Sequence, residues 1–261
     1  MKLISFMSIV LTFLLTACGG GSSSSGGESP PDKNDTNTPN SSNYNTEQLK
    51  VYFNISGIND SDAKVTAYVQ DTDLNYVALS EMDNLLVIAD GVSQNLESKN
   101  NVNSHGGEYY SVEVSALSSE YIVRWQRDGV DVDSIRTENN LPLPFRPIAS
   151  LAGEVIDVSW ALEADHRYYY LGEVLKCQSD SEMNITSVAP DYSAGEGNLD
   201  NGHYSRSLFA IFGKPQSELI EGYDSCQFEM NIIGTKNDAL PLITDYLTLD
   251  VDQSRTIKLN L

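Results

Sequence analysis

Histidine, cysteine and basic side chains are scarce in this chain. Three His, three Cys and 16 Lys plus Arg stand against 37 Asp plus Glu in 261 residues, for a formal net charge of −21. Too few Lys and Arg are clustered to neutralise a row of phosphates, which disfavours nucleic acid as a partner. The acidic excess fits solubility outside the cytoplasm and names no ligand. Several catalytic motifs are missing as well. No GxSxG is there to present a serine nucleophile on a sharp turn. His105, His166 and His203 are far apart and none precedes a Glu, so no HExxH zinc helix can form. Gly213-Lys214 is not a phosphate loop, because residue 208 is Leu rather than Gly and Pro215 takes the Ser/Thr place. These absences predict a protein that is not an enzyme, with no catalytic residue, no metal site and no cofactor.

What is present begins with an apolar run from Leu3 to Leu15, shorter than the roughly 20 residues of a membrane-spanning helix. Lys2 precedes it and Leu15-Thr16-Ala17-Cys18 closes it with small residues, which is a signal-peptide layout. This ending resembles the lipobox of bacterial lipoproteins, in which the cysteine sulfur receives a diacylglyceryl group, the chain is cut before it, and the new amine is acylated. The resemblance implies that residues 1–17 are removed and that Cys18 is lipidated. It also implies a membrane partner reached through the lipid anchor, and Gly19 after the cysteine implies sorting to the outer membrane. Acyl chains gain about 0.8 kcal/mol per buried methylene, so two or three suffice without a transmembrane helix.

Residues 18–47 are rich in Gly, Ser, Asn and Pro and hold little that can pack, which predicts a disordered N-terminal tether. Random-coil scaling gives it a mean span of roughly 30 Å. With Cys18 lipidated, Cys177 and Cys226 are left as an even pair in an exported chain, where disulfides form and persist, and they are expected to be bonded. A closed loop of about 50 residues contributes roughly 4 kcal/mol in the chain-entropy model. A zinc site at these cysteines would lack both a CxxC pair and a nearby His.

Period-two alternation starts after the tether. Leu49, Val51, Phe53 and Ile55 oppose Lys50, Tyr52 and Asn54, and Ala63, Val65, Ala67 and Val69 repeat the pattern. Leu85 to Ala89 runs into Asp90-Gly91, and Tyr121, Val123 and Trp125 run into Asp128-Gly129, both tight-hairpin signals. About seven strands fit between residues 48 and 140. Leu141-Pro142-Leu143-Pro144-Phe145-Arg146-Pro147 then interrupts the pattern and marks a connector over 141–149. A second series occupies 150–261, from Ile156, Val158 and Trp160 through Tyr168 to Leu175 and Tyr204 to Phe212, ending in a terminal strand over Arg255 to Leu261. Truncating that strand should expose an edge. The fold class predicted is all-β: two tandem antiparallel sandwiches after the tether.

The arrangement resembles immunoglobulin-like and fibronectin type III-like modules of bacterial surface proteins. Ile156-Asp157-Val158-Ser159-Trp160 is similar to the Trp-bearing early strand of fibronectin type III domains, and Asp200-Asn201-Gly202-His203-Tyr204 to the Asp-x-Gly-x-Tyr corner of immunoglobulin domains. No Cys lies two residues after Tyr204, so Cys177 and Cys226 need not form the usual intersheet bridge. Modules of this kind specify no activity.

Fourteen tyrosines include Tyr168-Tyr169-Tyr170. Such rings are candidates for ligand stacking, with Tyr168 and Tyr170 on one strand face and Tyr169 on the other; strand propensity accounts for the same residues. Asp71-Thr72-Asp73, Asp128 with Asp131 and Asp133, and Asp250-Val251-Asp252 place oxygens near turns, yet none fits a twelve-residue calcium loop, and turn chemistry explains them. The expectation is a monomeric, non-enzymatic, lipid-anchored cell-envelope protein that binds an envelope protein or glycan or organises the envelope. A carbohydrate-binding or adhesive module predicts an exposed aromatic strip. An acid-catalysed hydrolase predicts a cleft holding two carboxylates about 5–10 Å apart.

Overall fold

Alternation passes directly into strands wherever one side of a segment has a core to face. The computed structural model describes residues 39–99, 108–138, 141–180, 182–190 and 197–261; residues 1–17, expected to be a signal peptide, and Cys18 and His105 lie outside them. In chain order the strands of the first half are β1 (Leu49–Gly57), β2 (Asp62–Asp71), β3 (Tyr76–Val77), β4 (Asp83–Ala89), β5 (Val92–Asn95), β6 (Glu97–Lys99), β7 (Tyr109–Ser115), β8 (Glu120–Arg127) and β9 (Val130–Glu138). The second half contributes β10 (Ile148–Ala152), β11 (Val155–Ser159), β12 (His166–Gln178), β13 (Met183–Val188), β14 (His203–Ser207), two short helices α1 (Leu208–Phe212) and α2 (Gln216–Leu219), then β15 (Ser225–Lys236), β16 (Leu242–Ile243) and β17 (Leu247–Asn260).

The two Asp-Gly turns are hairpins. Asp90 and Gly91 have φ of 46° and 83° between β4 and β5, and Asp128 and Gly129 have 52° and 73° between β8 and β9. Positive φ at both central residues matches the right-handed twist of the flanking strands.

The protein is all-β in three sheets. A ten-stranded sheet runs β13-β12-β15-β17-β1-β2-β7-β6, with β16 on β17 and β3 on β2; a second holds β5-β4-β8-β9 and a third β10-β11-β14. The four-stranded sheet packs on one half of the long sheet over Val51, Phe53, Val65, Val87, Val123 and Trp125. The three-stranded sheet packs on the other half over Ile156, Val158, Tyr168, Phe228, Met230 and Ile257. Fully burying each large apolar side chain contributes roughly 1.5–3 kcal/mol, so each sandwich is held by its own core.

β17 departs from the expected layout. Its first half pairs in parallel with β1, Val51 opposite Leu247 and Gly57 opposite Gln253, and its second half pairs antiparallel with β15, Gln227 opposite Asn260. Leu247 and Leu249 therefore complete the first core, although they follow the 141–149 connector. The terminal strand is central rather than an edge, and β1–β17 is a parallel pair in an otherwise antiparallel sheet.

The end of the range read as tether, 18–47, is folded onto the first sandwich. Ala78 accepts from the Ser41 amide at 2.8 Å, Ser41 is fully buried, and Tyr44 packs on the first core. The cause is a buried charge that composition does not reveal. Asp83, at the start of β4, accepts from Arg127 Nε at 2.9 Å, Ser41 Oγ at 2.6 Å, Trp125 Nε1 at 2.9 Å and Ser80 Oγ at 2.9 Å. Arg127 in turn donates to the carbonyls of Ser41 and Tyr44, each at 3.1 Å. Burial works against the Asp83 carboxylate, but these hydrogen bonds outweigh it and hold its pKa below the ordinary range.

A second correction concerns Tyr204 to Phe212, read as one strand. The strand stops at Ser207, whose side chain accepts from the Ala210 amide and caps α1. Gly213 then ends the helix in the left-handed region, φ 71°. Both are familiar helix-boundary devices, and they override the apolar run between them.

Candidate functional site

Cys177 and Cys226 are bonded. They lie directly opposite one another on adjacent strands β12 and β15, with Cα atoms 4.1 Å apart. The bridge thus ties two neighbours within one sheet and does not cross the sandwich. It is buried against Leu175, with Phe212, Leu219 and Tyr223 packed around it.

Tyr168 and Tyr170 are not available for stacking on a ligand. Their residues are 1% and 2% exposed, because β12 turns them into the second core. Tyr168 meets Phe145 and Trp160 at 5.1 and 5.6 Å between ring centroids, and Tyr170 meets Tyr204 edge-on at 5.4 Å. Tyr169, on the opposite face, lines a crevice. A bulge between Tyr170 and Glu173 then shifts the inward phase from even to odd positions, so Glu173, Leu175 and Cys177 all face inward.

The Tyr204 corner also differs from its immunoglobulin counterpart. Its hydroxyl donates to Glu173 Oε1 at 2.9 Å, where Arg206 Nη1 also donates at 2.9 Å. Burial raises the Glu173 pKa in spite of the hydrogen bonds from Tyr204 and Arg206, and raises Tyr204 far above its usual value. This is a buried structural pair, and it ties β12 to β14.

The crevice arises at a gap beside β17. β16 pairs with Thr248 and Leu249, while β15 begins only at Gln253. Between them Asp250, Val251 and Asp252 are paired only with β1 among the described strands. The segment from Lys236 to Leu242 loops over this gap and leaves a crevice of about 620 Å³. Asn54, Tyr169, Thr235, Lys236, Asp250 and Asp252 line it. Its volume is in the range of small-ligand pockets.

The two carboxylates of the crevice have different surroundings. Asp252 accepts from Asn54 Nδ2 at 2.8 Å through one oxygen and from the Ser56 hydroxyl through the other. Burial still raises its pKa, and the neighbouring Asp250 adds to the effect. Partial burial raises Asp250 too, and no hydrogen bond or ion pair reaches its carboxylate among the described residues. Both groups move in the same direction.

On the same outer face, two residues from Asn54, Tyr52 stacks on its cross-strand partner Tyr68, with centroids 4.9 Å apart and planes 10° from parallel. Tyr76 extends the row at 5.4 Å from Tyr68. Sequence reading passed over this strip because its members are far apart in the chain; only the strand register assembles them.

The other Asp-rich turns serve the fold. Asp71 Oδ1 accepts from the amides of Asp73 and Asn75, each at 2.9 Å. Asp131 pairs with Arg124 at 3.0 Å, and Asp133 accepts from Thr244 Oγ1 at 2.6 Å, tying β9 to the β16–β17 turn. Among the described residues, no group of three or more His, Cys, Asp or Glu side chains comes together as a metal site. No described helix is long and apolar enough to cross a membrane.

Fold and crevice together define an all-β protein of two sandwiches built on one shared sheet, with a polar cleft where they join. No protein-family model matches the chain, and no curated protein does. Among solved structures it is similar to a two fibronectin type III domain segment from chicken tenascin, at 11% identity and a TM-score of 0.20, covering 80% of this chain and 96% of that one.

Proposed function

We propose that this chain is a non-enzymatic protein of the bacterial cell envelope, held in the outer membrane by lipid on Cys18, that binds an envelope component in the crevice beside β17. The observation that carries the binding half is the Asp250 carboxylate, which opens on a cleft of about 620 Å³ with no internal partner among the described residues. The lipobox-like Leu15-Thr16-Ala17-Cys18 supports the anchor, and the Asp83–Arg127 node gives the tether a fixed point of attachment on the first sandwich. The test is fractionation of the host after feeding labelled palmitate. Wild-type protein should carry the label and stay in salt-washed membranes, and Cys18→Ser should do neither. An unlabelled wild type, or a Cys18→Ser form just as firmly held in membranes, would overturn the anchor.

A further inference from the structure

Charge complementarity indicates which ligand the crevice takes. Its walls carry acceptors in the carboxylates of Asp250 and Asp252 and in that of Asp238, a donor in the Lys236 ammonium, and a group that does both in the Thr235 hydroxyl. An anionic ligand would meet three carboxylates in a chain of net charge −21, and like charge at that range is unfavourable. A compact cation would be drawn by the three carboxylates and opposed only by Lys236, but it would leave the Tyr169 and Leu242 walls unused. A neutral ligand whose every group both donates and accepts uses the two signs together. The aromatic and aliphatic walls, Tyr169 and Leu242, supply apolar surface for the C–H faces of such a molecule. The strip of Tyr52, Tyr68 and Tyr76 continues the same sheet face past Asn54 and presents further ring surface and hydroxyls beyond the crevice.

We infer that the crevice beside β17 is a binding site for uncharged oligosaccharides, with Asp250 accepting hydrogen bonds from sugar hydroxyls and the Tyr52–Tyr68–Tyr76 strip extending the site. The inference rests on the binding function proposed above and gives it a ligand class. Asp252 has a supporting part: with both oxygens engaged by Asn54 and Ser56, it fixes the Asn54 side chain beside Asp250. Asp250 is exposed, so its replacement should leave the cores intact.

Isothermal titration of the full-length chain in detergent with cellohexaose, maltohexaose and N-acetylchitohexaose, and with hexagalacturonate as the anionic comparison, tests this. At least one neutral hexasaccharide should bind while hexagalacturonate does not. Asp250→Ala should weaken that binding by about 10- to 100-fold, the range for a lost hydrogen bond to a charged group, with thermal unfolding unchanged. Tyr52→Ala should weaken a hexasaccharide more than the matching disaccharide. Failure of all three neutral probes, equal binding of hexagalacturonate, or binding indifferent to Asp250→Ala would overturn the inference. Two results separate it from the proposed function. Shortened oligosaccharides in the incubated mixture would overturn the non-enzymatic function and leave glycan recognition standing. An envelope protein crosslinked to wild type and lost in Asp250→Ala, with no glycan bound, would keep the binding function and end the glycan assignment.

Discussion

Replacing Asp83 by Asn should destabilise the protein more than any other single polar change in the first sandwich. The Asp83 side chain is fully buried and that of Arg127 is 14% exposed, so solvent screens the pair little. Removing one partner of a buried pair strands the other, at about 3–5 kcal/mol. Asn keeps the shape and an acceptor for Trp125, which places Asp83→Asn near the lower end, about 3 kcal/mol. Urea unfolding followed by tryptophan fluorescence reads this directly, because Trp125 donates to Asp83 at 2.9 Å. With m near 2–3 kcal/mol/M for a chain of this size, the midpoint should fall by about 1–1.5 M at unchanged m. The pH dependence has a definite sign. The folded pKa of Asp83 is lowered, so its contribution is complete above the unfolded value near 4 and disappears as pH falls through the folded value. The gap between wild type and Asp83→Asn should therefore close in acid. The Asp83→Leu, Arg127→Met double variant should lose less than the sum of the single losses. A midpoint shift below about 0.3 M for Asp83→Asn would refute the reasoning. So would a stability gap that stays constant down to pH 2, below the ordinary carboxylate range.

The Cys177→Ser, Cys226→Ser pair should lose about 4 kcal/mol for a loop closed over a separation of 49 residues, read as a lower denaturation midpoint. Gly172→Ala should destabilise by about 1–3 kcal/mol in the same assay, since Gly172 has φ 143° and an added Cβ would lie 2.6 Å from the Val188 carbonyl. Removing residues 247–261 should abolish cooperative unfolding, because both cores lose apolar side chains from β17. Burial, with Asp90 nearby, pushes Tyr121 up to about 12, and burial raises Tyr110 and Tyr204 further. Groups with raised folded pKa stabilise up to the unfolded value and lose that contribution as pH climbs beyond it. Ultraviolet titration should accordingly show tyrosines that ionise only together with unfolding, above pH about 10.

The strand content and the hairpins were legible because period-two alternation and Asp-Gly turns are local signals. Leu49 to Ile55, Ala63 to Val69 and Tyr121 to Trp125 all became buried strand faces. The disulfide was legible once the lipobox resemblance set Cys18 aside and left Cys177 and Cys226 as a pair. Three features were not. Asp83 looks like any other acid until β8 brings Arg127 and Trp125 against it. The inward turn of Tyr168 and Tyr170 depends on which side of β12 holds the core, and alternation alone cannot choose a side. The crevice requires the register of β17 against β1, β15 and β16 together, a long-range property that no window of sequence contains. The parity of Asp250 and Asp252 was a fragment of that signal, since it puts both on one face.

The partnership of β1 with β17 bears on how the molecule is made. Asn54 waits for Asp252 across 198 positions of chain, so the N-terminal sandwich cannot finish assembling as it leaves the ribosome. Contacts that distant form slowly, so closure of the first core is tied to the arrival of the chain's last strand.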